Sequence, residues 1–120
     1  MIAENLVDDN TKVITLVSGK GNETDELVIK PQLLLNATSE PIISIGNVHH
    51  EILPTDKKLT LSFGEDIALE LTGRGNYGMK PKEVKIETDK SNSIFLTTEK
   101  DVKSYNIVLE CYKETGFKEE

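Results

Sequence analysis

The segment KLTLSFGEDIALELT, residues 58–72, shows the pattern that much of the chain repeats. Apolar residues alternate with polar ones on both sides of FGED, namely Leu59, Leu61 and Phe63 before it and Ile67, Leu69 and Leu71 after it. An alternation of period two places one set of side chains on a single face of a strand. A glycine with two acids is typical of a tight turn. The segment therefore predicts an antiparallel hairpin with one buried face.

The same alternation continues towards the C-terminus. EVKIET (83–88) and SIFLTT (93–98) flank the turn-like DKSNS and predict a second hairpin. A last strand, from about 103 to 112, has the longest and most regular alternation. It places Tyr105, Ile107, Leu109 and Cys111 inward, and Asn106 and Glu110 outward. We expect this strand to be central.

The first half of the chain is less regular but also favours strands. Predicted strands cover 12–18, 26–30, 42–45 and 48–53, and QLLLN (32–36) fits either a strand or one helical turn. KVITLVS (12–18) is apolar on both faces, which predicts a strand covered on both sides. No segment keeps a helical apolar period over ten residues, so helix content should be low.

Together these patterns predict an all-β, antiparallel β-sandwich, immunoglobulin-like or jelly-roll-like, with about eight strands and little helix. One domain of this size, 12–114, would lie between a flexible N-terminal arm, 1–11, and a C-terminal tail, 115–120.

The charge balance bears on the class of partner. Twenty-one acidic and 14 basic residues give a net charge of −7, and Arg74 is the only arginine. Because phosphate binding needs clustered lysine and arginine, we expect no nucleic-acid partner. No apolar run approaches the roughly 20 residues that span a bilayer, and the N-terminus lacks the features of a secretory signal. We therefore expect no membrane association and a location in the cytoplasm.

The two histidines lie side by side in NVHHEILP, residues 47–54. On a strand, His49 and His50 point to opposite faces, so they do not share a metal ion readily. The pattern predicts His50 on the apolar face and His49 beside Glu51 in solvent. A metal at His49 and Glu51 would need a third ligand, and no ligand spacing identifies one. We expect no metal and no cofactor.

No residue pattern indicates catalysis. A serine or cysteine nucleophile beside a base is missing, and Cys111 fits a buried, inert thiol. The glycine-rich stretches GKGN (19–22) and GRGNYG (73–78) precede no helical pattern, so we interpret them as flexible loops and not as phosphate sites. We expect a non-enzymatic protein.

Two segments are candidates for protein contacts. GRGNYGMKP contains Arg74, Tyr77 and Met79, and arginine and aromatic side chains often anchor interfaces. In the N-terminal arm, Ile2 and Leu6 are apolar without a predicted core role. Such an arm could add a strand to the sheet edge of a neighbour, which predicts a homo-oligomer or another protein partner.

The segments KLTLSFGEDIALELTGRG and VKIETDKSNSIFLTTEKDVKSYNIVLECYK carry a resemblance to a known group of proteins. Their hairpins and long last strand resemble the immunoglobulin-like β-sandwich modules of tailed bacteriophages, especially the auxiliary or decoration proteins of capsid shells. This resemblance implies a structural role in a virion through contacts with capsid subunits, and it assigns no site residue. The chain departs from the antibody-type pattern, because it has no Trp and no second Cys.

Two other classes of function stay open. One is a small acidic regulatory or inhibitory protein, of the DNA-mimic or anti-defence type, that acts on a basic partner. The other is an enzyme or a carbohydrate-binding domain whose site is built from side chains distant in sequence.

Overall fold

A computed structural model describes residues 1–78 and 84–118. Its strands are β1 (Ile2–Asp8), β2 (Lys12–Gly19), β3 (Glu26–Ile29), β4 (Ala37–Leu53), β5 (Lys58–Phe63), β6 (Asp66–Thr72), β7 (Arg74–Tyr77), β8 (Ile94–Thr98) and β9 (Ser104–Phe117). One 3₁₀ turn, Pro31–Leu33, precedes β4. The described residues contain no α-helix, so the prediction of an all-β fold is confirmed.

The strands form two antiparallel sheets that pack face to face. The five-stranded sheet has the order β1-β2-β9-β4-β7, and the four-stranded sheet has the order β3-β8-β5-β6. Inward-facing side chains of both sheets make one core, with Ile43, Ile52, Leu59, Leu96 and Leu109 at 0% exposure. The prediction of a β-sandwich is confirmed.

The hairpin predicted over 58–72 is present as β5 and β6. Its register shifts by one residue: Leu61 lies opposite Leu69, but Ser62 lies opposite Ile67. Because each single-residue step reverses the direction of a side chain, this bulge turns Ile67 outward. Ile67 is 66% exposed, so its predicted place in the buried row is wrong.

The last strand, β9, lies in the middle of the five-stranded sheet, between β2 and β4. Tyr105, Ile107, Leu109 and Cys111 are buried, while Asn106 is exposed, as the alternation predicted. The expectation of a central last strand is confirmed.

The predicted second hairpin is wrong. β8 pairs with β5 and β3 in the four-stranded sheet. Ile86 instead exchanges two backbone hydrogen bonds with Ile45 of β4, at 2.9 and 2.8 Å. Its side chain packs against the core, which explains why this short apolar segment joins the opposite sheet. Residue 83 of the predicted strand lies outside the described residues.

Residues 42–45 and 48–53 belong to one long strand, β4, and not to two. Bulges along its pairing with β9, including one between Ile45 and Asn47, absorb the break in the sequence pattern. Just before β4, the structure selects the helical alternative for residues 32–36, as the 3₁₀ turn.

The terminal segments are more ordered than the sequence predicts. Residues 2–8, expected as a flexible arm, form β1 and pair with β2. Thr15, fully buried on β2, donates its hydroxyl hydrogen to Asn5 Oδ1 at 2.7 Å, which ties the strand to the sheet. The predicted tail, 115–120, is strand as far as Phe117, and residues 119–120 lie outside the description.

Residues 73–78, predicted as a flexible loop, contain the edge strand β7. It pairs with β4 from Val48 to Glu51. Gly75 permits this pairing beside a buried ring, since a Cβ at this position would lie 3.1 Å from His50 Nε2. The loop interpretation is corrected accordingly.

Candidate protein-binding face

The outer face of the five-stranded sheet is defined by the pairing of β2, β9 and β4. Leu16 lies opposite Val108, which in turn lies opposite His49, and Asn76 of β7 completes this row. Because directly opposed residues point to the same side of a sheet, the side chains of this row lie on one continuous face. The face points away from the core.

The half of this face near β1 carries an apolar cluster, with the exposed Glu4 opposite Leu16. Ile14, Leu16 and Val108 are half-buried, and Ile2 and Val7 beside them are exposed. The sequence predicted that β2 is covered on both sides, but nothing in the described part of the chain lies over its outer side chains. A contiguous apolar patch beside polar residues is typical of a protein-binding surface.

The half of the face near β7 is polar and internally paired. Arg74 Nε lies 2.9 Å from Glu51 Oε2, and His49 Nδ1 lies 2.6 Å from Asn76 Oδ1. These cross-strand pairs lie beside the apolar cluster and form a polar rim on its β7 side, so the face combines apolar and polar surface as protein interfaces do.

A network of side-chain hydrogen bonds between β4 and β9 joins the two halves. Glu110 Oε1 accepts hydrogen bonds from Asn47 Nδ2 at 2.8 Å and from the Tyr112 hydroxyl at 2.9 Å. The hydrogen bond to Glu110, with burial, raises the pKa of Tyr112. The Tyr112 ring lies on Gly46, where an added Cβ would stand 2.1 Å from Cε2. Glycine at position 46 is therefore required for the ring to lie flat on the sheet.

A second network continues the polar rim. Lys85 Nζ donates to Glu114 Oε1 at 2.6 Å, and the fully buried Ser44 donates its hydroxyl hydrogen to the same oxygen at 2.9 Å. The ammonium group of Lys85 lowers the pKa of Glu114, and the carboxylate raises the pKa of Lys85 in return. These contacts fix the segment after residue 84 against the five-stranded sheet.

The predicted interface residues fall at the margins of this face. Ile2 and Arg74 lie in one row across the sheet, on the edge strands β1 and β7. Four strand spacings separate them, or about 19 Å. Leu6, at the bulge of β1, is 53% exposed. The structure thus places Ile2 and Arg74 on one surface.

Of the other two predicted interface residues, one lies on the inner side of the sheet and one lies outside the described residues. Tyr77 lies opposite Val48 on the inner side, packs against the core, and donates its hydroxyl hydrogen to the Val84 carbonyl at 2.9 Å. Met79 lies outside the described residues. The prediction missed Ile14, Leu16 and Val108, although the apolar character of both faces of 12–18 was a visible signal.

The histidines occupy opposite faces, as predicted. His50 is buried and its Nδ1 lies 3.0 Å from the Gly73 carbonyl oxygen, while His49 is exposed. Residues 1–78 and 84–118 contain no group of three or more histidine, cysteine or acidic side chains placed to hold a metal ion. Cys111 is fully buried, and burial raises the pKa of its thiol.

No known protein family, curated protein or solved structure matches this chain. Within the described residues, no helix is long and apolar enough to span a membrane.

Proposed function

We propose that this chain is a non-enzymatic binding module that contacts a protein partner through the outer face of its five-stranded sheet. The observation that carries the proposal is the uncovered apolar cluster on that face, formed by Ile2, Val7, Ile14, Leu16 and Val108. Fully burying a side chain of this size contributes about 1.5–3 kcal/mol, so a partner that covers several of them gains useful affinity.

The edges of both sheets favour contact through a face. β1, β3 and β6 each contain a register shift, and β7 has only four residues. Bulged or short edge strands oppose pairing with a second molecule. This replaces our expectation that the N-terminal segment adds a strand to a neighbour, because β1 already pairs within its own sheet.

The specific form we propose is an auxiliary protein of a capsid or similar assembly, in line with the sequence resemblance. The sandwich has one apolar binding face, and its four edge strands are short or bulged. This combination suits a protein that binds to a large surface but does not extend its sheets by pairing with further copies. The alternative, a small acidic inhibitor of a basic partner, would bind through charge and would lose affinity steeply as salt rises.

A double variant, Ile14→Thr with Leu16→Thr, tests the proposal. Threonine is β-branched and suits a strand, so the variant should keep β2 while it removes two apolar side chains from the middle of the cluster. We expect the wild-type chain to form a salt-resistant oligomer in light scattering, and the variant to return to the 13.4 kDa monomer mass. Leu33→Thr is the matched control, since Leu33 is 78% exposed in the 3₁₀ turn, outside the strands of this face, and it should leave the oligomer intact.

An oligomer that the double variant leaves unchanged would contradict the assigned face. A wild-type monomer would remove self-association and restrict the proposal to a separate protein partner.

A further inference from the structure

A groove lies on the outer face of the four-stranded sheet, on the opposite side of the molecule from the protein-binding face. Its volume is about 590 Å³, within the range of small-molecule sites. The lining side chains that bear on its chemistry are Asp25, Thr60, Ser62, Glu65, Ile67 and Phe95. We refer to it as the β5 groove.

The floor of the β5 groove is partly apolar. Phe95 lies opposite Ser62 in the sheet, and Ser62 lies opposite Ile67. The bulge in the β5–β6 pairing is the reason that Ile67 points outward here, at 66% exposure. The groove thus has an aromatic ring and an aliphatic side chain on either side of a row of hydroxyl groups.

Carboxylates stand at the two ends of the groove. Asp25 is held beside Thr97, whose hydroxyl lies 3.3 Å from Asp25 Oδ1, and Thr97 pairs with Thr60. Glu65 follows Gly64 in the turn after β5. From Thr60 to Gly64 the chain advances four residues, or about 13 Å, and Asp25 lies two strand spacings to the side of β5, so the positions of the two carboxylates are roughly 16 Å apart.

No basic side chain in the described lining neutralises the carboxylates of the groove. Its described lining includes no lysine, arginine or histidine. Lys58, two residues before Thr60 on the same strand face, is already paired with Glu70 at 2.7 Å. The polar lining side chains are carboxylates and hydroxyls, which accept hydrogen bonds, and an ammonium group needs three acceptors.

We propose that the β5 groove binds a linear aliphatic polyamine, with an ammonium group at each carboxylate and the methylene chain along Phe95 and Ile67. Apolar methylenes match the floor, an internal ammonium could bond to Thr60 or Ser62, and Phe95 offers a cation–π contact. Spermidine is long enough to reach towards both ends, whereas putrescine covers less than half of the span. This site is independent of the proposed protein-binding face.

Titration calorimetry, with ¹H–¹⁵N NMR to locate the site, tests the proposal on the full chain. We expect spermidine to bind several-fold more tightly than putrescine or Mg²⁺, and to shift amide signals of residues 60–67 and 95–97. Asp25→Asn and Glu65→Gln should each weaken spermidine binding about two- to five-fold, as for exposed ion pairs. Asparagine suits position 25, where φ is +45°.

Two further variants separate a shaped site from general attraction to an acidic protein. Ile67→Thr leaves the charge unchanged and should also weaken spermidine binding, whereas Glu4→Gln removes an exposed carboxylate on the other sheet and should have no effect. Equal affinities for spermidine, putrescine and Mg²⁺ would overturn the proposal. So would equal losses in Glu4→Gln and the two groove carboxylate variants, or signal shifts outside the groove.

Discussion

Lys113 places an ammonium group inside the protein, with only 1% of its side chain exposed. Nζ donates to Asp8 Oδ1 and the Asp9 carbonyl at 2.6 Å each, and to the Leu35 carbonyl at 2.8 Å. All three of its hydrogens are therefore used, and the Phe117 ring lies 5.2 Å away. This one side chain joins β9 to the end of β1 and to the segment before β4.

Replacing Lys113 with methionine should therefore be costly. The change removes the counter-charge of Asp8 and leaves two carbonyls without a donor, so we expect a loss of about 3 kcal/mol in the free energy of unfolding. Urea denaturation measures it. Lys100→Met, at an exposed position, should change stability by less than about 0.5 kcal/mol. Similar losses in the two variants would show that Lys113 does not connect these segments.

Glu114 makes stability depend on pH. The hydrogen bond from Lys85 lowers its pKa below the ordinary 4.5, so the folded protein binds the proton less tightly than the unfolded chain. The resulting stabilisation is present above pH 4.5 and is lost as pH falls through the lowered folded value. Denaturation from pH 7 to pH 3 should show a shallower acid decline for Glu114→Gln than for wild type. Parallel declines would contradict this assignment.

Cys111 should be unreactive in the native protein. Burial raises the pKa of its thiol, and the side chain is 0% exposed, so almost no thiolate is available to a modifying reagent. We expect an aromatic disulfide reagent to label it only when the sandwich opens, at a rate that rises with urea. Rapid, stoichiometric labelling without denaturant would show that this part of the core is accessible.

Strand β6 shows how a single inserted residue changes the role of its neighbours. The bulge leaves Leu71 buried but moves Ile67 to the outer face. We expect Leu71→Ala to cost about 2–4 kcal/mol and Ile67→Ala less than about 0.5 kcal/mol, measured by urea denaturation with an unchanged slope. Equal costs would show that Ile67 belongs to the core and that the bulge does not direct it into the β5 groove.

At this scale the sequence predicted strands better than their pairing. Alternation identified β5, β6 and β9, because period two reports which side of a strand faces the core. It could not show that β8 pairs with β5 or that Ile86 bonds to β4, since a pattern of faces does not specify a neighbour. The bulge was invisible for the same reason.

For the whole molecule, the candidate site was only partly predictable. The sequence showed that both faces of the strand at 12–18 are apolar. It could not show whether the second apolar face is covered by the same chain or by a partner. Ile2 and Arg74 were selected on residue type, and only the strand order brought them onto one surface. The β5 groove depends on the bulge and had no sequence signal that we recognised.

The two faces of the sandwich differ in chemistry. The five-stranded sheet presents an apolar surface with paired charges at its rim, whereas the groove on the four-stranded sheet carries carboxylates at both ends. The fold thus separates a surface suited to a protein partner from a groove suited to a small cation. Because the two are on different sheets, a change in one should leave the other intact.

Site-specific photo-crosslinking can show whether the outer face of the five-stranded sheet contacts a protein. A benzophenone side chain would replace Leu16 on this face or, as a control, Leu33, which is 78% exposed outside it. In cells that make the protein, we expect a discrete crosslinked species from position 16 and none from position 33. Crosslinks from position 33 alone, or from neither position, would contradict this contact.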